Sequence, residues 1–75
     1  MKMNRGEFLE EVIKAKGYSV MSLSKESGVA YTTIRSMIER NLKNASIDNV
    51  IKVTNVLDIK ADDLAKEEFD NEDLI

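Results

Sequence analysis

The chain must be held together by helix packing alone, because its 75 residues include neither cysteine nor histidine. Disulfide bonds and zinc sites with sulfur or nitrogen ligands often support domains this small, and the sequence has the residues for neither. Proline is also absent and glycine occurs only three times, while 43% of the residues are apolar and 33% are charged. This mixture is typical of short amphipathic helices, so we predict one all-α domain without a metal site.

The net charge of −3 is unevenly distributed. Residues 1–60 contain ten Lys or Arg and seven Asp or Glu, whereas residues 61–75 contain one Lys and seven Asp or Glu. A mildly basic body with an acidic tail is compatible with a nucleic-acid partner, although charge alone does not decide the function. Because no apolar run is long enough to span a bilayer or to form a secretory signal, we expect a cytoplasmic protein with no membrane partner.

Hydrophobic periodicity and capping residues predict a compact bundle of about five short helices. The first begins after Asn4, which can form a capping box with Glu7, and ends at Gly17. The fourth begins after Ser46. Its apolar face is predicted to contain Ile47, Val50, Ile51, Thr54 and Leu57.

A short fifth helix is predicted over residues 61–68, after Asp58 has taken the left-handed conformation that ends the fourth. Leu64 and Phe69 would be its apolar contacts. We place the domain boundary at residue 68, so that residues 1–68 form the domain and residues 69–75 an acidic, frayed tail.

Two short helices joined by a glycine turn are predicted within the sequence GYSVMSLSKESGVAYTTIRSM, residues 17–37. Ser19 caps a helix over residues 20–27, Gly28 takes the turn position, and the next helix runs from residue 31 to about residue 39. The small residue Ser24 would lie where the two helices approach closely. The apolar residues predicted to face the core are Leu23, Val29, Ile34, Met37 and Ile38.

This pattern resembles the helix-turn-helix of the lambda-repressor and Cro superfamily, also called the xenobiotic-response-element family. The resemblance extends over roughly residues 5–66, because the segment NVLDIKADDL is similar to the family's end of the fourth helix and short fifth helix. It implies a lambda-repressor-like DNA-binding domain with a double-stranded DNA operator as its partner. It further implies a phage-type repressor that acts as a homodimer on a pseudo-palindromic operator.

The chain departs from the family pattern at several positions. Val20 stands where many members have glutamine, Ser27 where an apolar residue is usual, and Ala30 where a capping serine or threonine is usual. The loss of that cap would cost the third helix about 1 kcal/mol. The basic loop RNLKNA, residues 40–45, replaces the glycine that normally follows this helix.

The resemblance places the second helix of the motif in the major groove of DNA. The residues predicted to read bases are Tyr31, Thr32, Thr33, Arg35 and Ser36. Those predicted to contact phosphates are Ser19, Ser22, Arg40, Asn41, Lys43 and Asn44. Arg35 is the foremost reader, because a guanidinium can bond guanine O6 and N7 together, which contributes about 1–3 kcal/mol of discrimination.

Structural explanations exist for the same side chains. Arg35 could be a solvated residue paired with Glu39, and Ser19 could be a helix cap with no DNA contact. Arg40 and Lys43 could belong to a solvated loop, and Tyr31 could simply cover the first helix pair.

The sequence contains few residues that could form a catalytic site. The adjacent carboxylates Glu10 and Glu11, like Asp62 and Asp63, would point in different directions on a helix and so would not converge on a substrate. Met21 and Met37 are expected to fill core gaps and not to bind a cofactor. We therefore predict a protein that is not an enzyme and has no cofactor and no small-molecule substrate.

Two questions about binding partners stay open from the sequence alone: which residues form a dimer contact, and whether the partner is DNA or a protein. Dimer contacts are expected from the C-terminal helix and tail, through Leu64, Phe69, Leu74 and Ile75, with the alternative that the core takes up Leu64 completely. The alternative function is a protein-interaction module of the same fold, an antitoxin or antagonist whose acidic tail docks a protein partner.

Overall fold

A computed structural model describes residues 2–74, without the side chain of Asn71. Within these residues the chain forms four α-helices and two single turns of 3-10 helix. The α-helices are α1 (Arg5–Ala15), α2 (Val20–Ser27), α3 (Tyr31–Glu39) and α4 (Ile47–Leu57), and the 3-10 turns are Ala61–Leu64 and Asn71–Leu74. No helix in this part of the chain is long and apolar enough to cross a membrane. The all-helical prediction is confirmed, but there are four α-helices where about five were expected.

The predicted caps are present at the starts of three helices. The Asn4 side chain accepts a hydrogen bond from the Glu7 N–H at 2.9 Å, and the Glu7 carboxylate accepts from the Asn4 N–H at 3.1 Å. Ser19 forms the same reciprocal pair with Ser22 at the start of α2. The hydroxyl of Ser46 accepts from the third N–H of α4 at 3.3 Å. These bonds satisfy donors that a helix cannot pair internally.

The turn between α2 and α3 is fixed by Gly28, whose φ of +75° only glycine adopts readily. Two serines of α2 close the turn on Val29. The hydroxyl of Ser24 donates to the Val29 carbonyl at 2.7 Å, and the hydroxyl of Ser27 accepts from the Val29 N–H at 3.2 Å. The unusual polar residue at Ser27 therefore has a structural role, because it pairs a backbone group of the turn.

One hydrophobic core joins all four helices and both ends of the described chain. Its fully buried side chains are Leu9, Ile13, Leu23, Ile34, Val53, Leu57 and Phe69. The residues predicted to face the core from α2, α3 and the turn between them, Leu23, Val29, Ile34, Met37 and Ile38, are all buried. The prediction that Met21 fills a core gap is wrong, since its side chain is 53% exposed, whereas Met37 is buried as expected.

The apolar face predicted for α4 is wrong at two positions. Ile47 is 73% exposed and Ile51 is 43% exposed, whereas Val53, Thr54 and Leu57 are buried. The stripe through positions 47 and 51 lies about a quarter-turn away from the stripe that meets the core. Threonine takes the core position because its hydroxyl donates to the Ile51 carbonyl at 3.2 Å and so enters the core already paired.

α1 and α3 approach each other closely at Gly6. A Cβ atom at this position would lie 1.9 Å from the carbonyl oxygen of Ile38, so no other residue fits without moving one of the helices. The contact places the first turn of α1 beside the end of α3. It thereby fixes the start of the loop that follows α3.

The predicted fifth helix over residues 61–68 is wrong, because only its first turn forms. After this turn the backbone pairs with the N-terminal segment: the guanidinium of Arg5 donates to the carbonyls of Ala65 at 2.7 Å and Lys66 at 2.8 Å. The Phe69 N–H donates to the carbonyl of Met3 at 2.8 Å. Residues 65–69 are therefore held against the N-terminal segment.

The tail differs from the frayed segment that was expected. Phe69 is 2% exposed, and its ring stacks on that of Phe8 with the ring centroids 3.9 Å apart. Leu64 is buried as well, and Leu74 is half-buried against the core. The expectation that Phe69 offers exposed apolar surface for a dimer is wrong, and for Leu64 the alternative holds, because the monomer core uses both side chains. Ile75, also named for that role, lies outside the described residues.

Candidate nucleic-acid interface

One side of α3 carries a polar stripe that ends in a cation. Thr32, Ser36 and Arg40 follow one another at intervals of four residues, and Thr33 lies beside them. Because residues four apart share a helix face, this stripe is continuous along the helix. Ile34 and Ile38 are buried on the other side. α3 therefore presents a polar face outward while its apolar face packs against the core.

The polar stripe forms one wall of a shallow groove of about 310 Å³. The other wall is the loop after α3 together with the start of α4. The lining residues are Thr32, Thr33, Ser36, Met37, Arg40, Lys43, Asn44, Ala45, Ser46 and Asn49. They include two cations and no carboxylate, and neither cation is engaged in an ion pair within residues 2–74. The groove is thus lined by hydrogen-bonding groups and uncompensated positive charge.

The loop that carries the cations has an unusual backbone. Asn41, Leu42 and Asn44 have φ values of +54°, +64° and +58°, in the left-handed region that asparagine tolerates and leucine rarely adopts. The Leu42 N–H donates to the carbonyl of Met37 at 2.8 Å, which closes the end of α3. The Lys43 N–H donates to the carbonyl of Arg40 at 3.0 Å, so the backbone at Lys43 is fixed beside the end of α3.

Asn41 anchors this loop to α1. Its side-chain oxygen accepts a hydrogen bond from the Gly6 N–H at 3.3 Å, and the pair is partly buried. Its side chain lines a separate depression with Asn4, Arg5, Lys43 and Glu67 instead of the groove itself. The structure therefore gives Asn41 a positioning role, and its contact with a phosphate stays a prediction.

Ser46 and Asn49 were not among the predicted interface residues, although both line the groove. Ser46 was recognised only as a helix cap. The signal available in the sequence was its place directly after the basic loop, where the first turn of a helix presents unpaired N–H groups. Asn49 lies one turn further along α4 and adds a side-chain amide to the same wall.

Arg35 does not line the groove. Its guanidinium Nη1 lies 3.2 Å from Oε2 of Glu10 on α1, so the ion pair considered with Glu39 is replaced by one between two helices. The side chains are 36% and 37% exposed, and exposed ion pairs contribute only about 0–1 kcal/mol. The pair holds the side chain beside α1 only weakly.

The three other predicted contacts also lie outside the groove. Ser19 and Ser22 use their hydroxyls to cap α2, as the structural explanation for Ser19 anticipated. Tyr31 is 42% exposed at the start of α3, where Ala30 supplies no side-chain cap. The groove therefore unites six predicted residues: Thr32, Thr33, Ser36, Arg40, Lys43 and Asn44. The structure leaves five apart: Ser19, Ser22, Tyr31, Arg35 and Asn41.

Two helices joined by a glycine turn, with a polar face on the second and a basic loop after it, define a helix-turn-helix DNA-binding unit. A family model described as helix-turn-helix matches residues 9–64. The chain belongs to this family, and it is a DNA-binding domain of the lambda-repressor type.

Its curated relatives include the HTH-type transcriptional regulator SinR of Bacillus subtilis (strain 168) and SinR of Bacillus licheniformis. Each is 40% identical over 68 residues, which are 89% of this chain and 60% of the relative. The chain thus spans 60% of the length of these relatives. A solved structure of the N-terminal DNA binding domain of SinR from Bacillus subtilis is similar, with a TM-score of 0.74 and 34% identity. The match covers 83% of this chain and 90% of that one.

Proposed function

We propose that this chain binds double-stranded DNA sequence-specifically as part of a transcriptional repressor, with two copies on a pseudo-palindromic operator. The groove between α3 and the loop after it is the DNA-binding surface. The similar Bacillus proteins bear the name of transcriptional regulators, which supports this role. That the repressor is of phage type stays a prediction from the resemblance.

The observation that carries the proposal is the composition of the groove: hydroxyls, amides and no carboxylate, with two cations that form no ion pair within residues 2–74. DNA presents phosphates along its backbone and hydrogen-bonding groups at its base edges, so such a surface meets both. α3 is about 13 Å long and presents its polar stripe along its whole length, which suits entry into the major groove.

The two parts of the groove have different tasks. Thr32, Thr33 and Ser36 project from the outer face of α3 and are the closest to base edges in this docking. Arg40 and Lys43 follow the helix and neutralise phosphates, which supplies affinity that falls as salt rises. The first turn of α3 has no side-chain cap, so its N–H groups and partial positive charge are free to receive a further phosphate.

Arg35 can join the base readers if DNA draws it away from Glu10. The exposed ion pair contributes at most about 1 kcal/mol, whereas a bidentate contact with guanine contributes about 1–3 kcal/mol of discrimination. The difference between these two free energies favours the contact with DNA wherever a guanine lies within reach of Arg35. The carboxylate of Glu10 is then the competitor that DNA must displace.

The test is selection of the purified chain on a random duplex library, followed by anisotropy of the enriched duplex and a scrambled control in about 0.15 M salt. We expect a two-fold-symmetric sequence to be enriched. The double variant Thr32→Ala/Ser36→Ala should lose part of the preference for the enriched duplex, because it keeps the cations and loses two of the readers. Glu26→Ala, at an exposed position of α2, is the matched control and should leave the preference unchanged.

Failure to enrich any sequence would contradict the proposal. A chain that binds all duplexes weakly and equally would have the phosphate contacts but no base readout. That outcome would favour the protein-interaction alternative, in which the acidic segment after residue 60 docks a protein partner.

A further inference from the structure

α4 carries an exposed apolar pair that the monomer does not use. Ile47 is 73% exposed and Ile51, one turn further along, is 43% exposed. The other large apolar side chains with high exposure in the described chain are Met21 and Tyr31, on α2 and α3. Only on α4 do two of them lie one turn apart on the same helix face.

Opposite charges border this pair in a particular order. Asp48 and Lys52 are both exposed, lie four residues apart, and take part in no ion pair within residues 2–74. Together with Ile47 and Ile51 they form the face that we call the α4 face. Its first half is acidic and its second half is basic, so the face is complementary in charge to itself when turned end for end.

We propose that the α4 face is the contact between two copies of this chain. The inference rests on the proposed binding to a two-fold-symmetric operator, and it replaces the dimer contact that was expected at the C-terminal segment, where Leu64 and Phe69 are buried.

Antiparallel pairing of two α4 helices, centred between residues 49 and 50, brings the complementary groups together. Ile47 of each copy then meets Ile51 of the other, and Asp48 of each copy lies close to Lys52 of the other. Every favourable contact occurs twice, as a two-fold axis requires. Parallel pairing would instead bring like charges together, so the charges select one direction.

This pairing is compatible with DNA binding by both copies. Asn49, which lines the groove, lies about 130° around α4 from the middle of the α4 face, at about 100° per residue. A two-fold axis that passes between the helices and perpendicular to both therefore leaves the two grooves open on the same side. Both copies can then face one duplex.

Two isoleucines from each copy bury far less area than a stable dimer needs, so the free chain should dimerise weakly and DNA should complete the association. We expect wild-type chain to self-associate with a dissociation constant between about 10 µM and 1 mM in sedimentation equilibrium. Asp48→Lys alone or Lys52→Asp alone should weaken it at least about tenfold, because each change sets like charges opposite one another.

The decisive sample is an equimolar mixture of the two single variants. Each copy then carries one sign only, so the mixed dimer regains both attractive contacts and should associate as tightly as wild type. Misfolding of a variant cannot produce this rescue. Glu11→Lys and Lys14→Asp, a matched pair of exposed positions on α1, should leave association unchanged alone and mixed.

A wild-type chain that stays monomeric at about 1 mM would overturn the inference, and so would a mixture that associates no better than its components. Binding to a duplex with a single half-site separates this result from the proposed function. Wild type and both variants should prefer the half-site to a scrambled duplex, although the changed charge shifts the overall affinity of each variant, and the variants should lose cooperativity on the full site. If wild type shows no preference for the half-site, the proposed function fails whatever the sedimentation shows.

Discussion

The guanidinium of Arg35 on α3 lies 3.2 Å from the carboxylate of Glu10 on α1, so the side chain expected to read DNA instead joins two helices. Both side chains are more than a third exposed, and the pair is accordingly weak. A contact of this strength keeps the Arg35 side chain beside α1 but can be broken at a small cost in free energy. A group on DNA would replace Glu10 if it bound the Arg35 guanidinium more strongly than a solvated carboxylate does.

The first prediction concerns this competition. Arg35→Ala should lower the preference for the selected duplex over a scrambled one by about tenfold or more, as expected for a lost guanine contact. Glu10→Gln should raise affinity, because it frees the guanidinium and removes a negative charge from the neighbourhood of DNA. In urea unfolding, the coupling between the two variants should be below about 1 kcal/mol. Fluorescence anisotropy measures the changes in sequence preference and in DNA affinity.

Glu11→Gln is the control for charge, since Glu11 is the exposed neighbour of Glu10 on α1. It should change DNA affinity less than Glu10→Gln does. If Arg35→Ala leaves the sequence preference intact, Arg35 has a structural role only.

Local sequence signals predicted the helices and most of the core. The capping pair Asn4–Glu7, the cap Ser19 and the turn at Gly28 depend on residues within a few positions of each other. Such features are visible in a sequence because their chemistry is local. The six groove residues were predicted through the family resemblance, and they lie together because they belong to one helix and the loop next to it.

The errors all arise from contacts between distant segments. Nothing near residue 65 indicates that Arg5 takes the carbonyls of the expected fifth helix. The side of α4 that faces the core depends on where the other helices lie, so Ile47 was assigned to the core by periodicity alone. Gly6 does not lie in a turn, so nothing local indicates that glycine is needed there. The need comes from the carbonyl of Ile38, which leaves no room for a Cβ atom.

The second prediction separates phosphate contacts from base contacts. Arg40→Ala and Lys43→Ala should each weaken binding to selected and scrambled duplexes by a similar factor. Each should also reduce the slope of log affinity against log salt by about 1, because one fewer counterion is released. Lys14→Ala is the control, since Lys14 is an exposed cation in the last turn of α1, away from the groove. A loss confined to the selected duplex would show that the altered residue reads bases.

The third prediction tests the close approach of α1 and α3. Gly6→Ala should lower the free energy of unfolding by about 2–3 kcal/mol, because the added Cβ would meet the carbonyl of Ile38. Gly17→Ala is the comparison: its Cβ would meet nothing within 4 Å, so only left-handed strain of about 1–2 kcal/mol remains. Urea unfolding measures both. Equal costs at the two positions would contradict a steric requirement at Gly6.

The fourth prediction concerns pH. A hydrogen bond of 2.7 Å between Nζ of Lys66 and Oδ1 of Asp73 raises the pKa of the lysine and lowers the pKa of the aspartate. The aspartate contribution to stability is therefore present above its ordinary pKa and is lost as pH falls through its lowered value. The lysine contribution is present below the ordinary lysine pKa and is lost as pH rises through its raised value.

Asp73→Asn should flatten both ends of the curve of unfolding temperature against pH, with a small amplitude because Lys66 is well exposed. Glu72→Gln, the adjacent exposed carboxylate, should leave the curve unchanged. Identical curves for Asp73→Asn and wild type would mean that the pair does not persist in solution.

The fifth prediction is that the segment after residue 68 is required for folding. Phe69→Ala should lower the free energy of unfolding by about 3–5 kcal/mol, because it leaves a cavity beside Phe8 where a ring is now stacked and buried. A core of this size typically supplies only about 3–5 kcal/mol in total, so the variant should be largely unfolded at room temperature by circular dichroism. Phe69→Leu retains most of the apolar volume and should stay folded at a lower unfolding temperature. A frayed tail would instead make both substitutions neutral, because neither side chain would then be packed in the folded state.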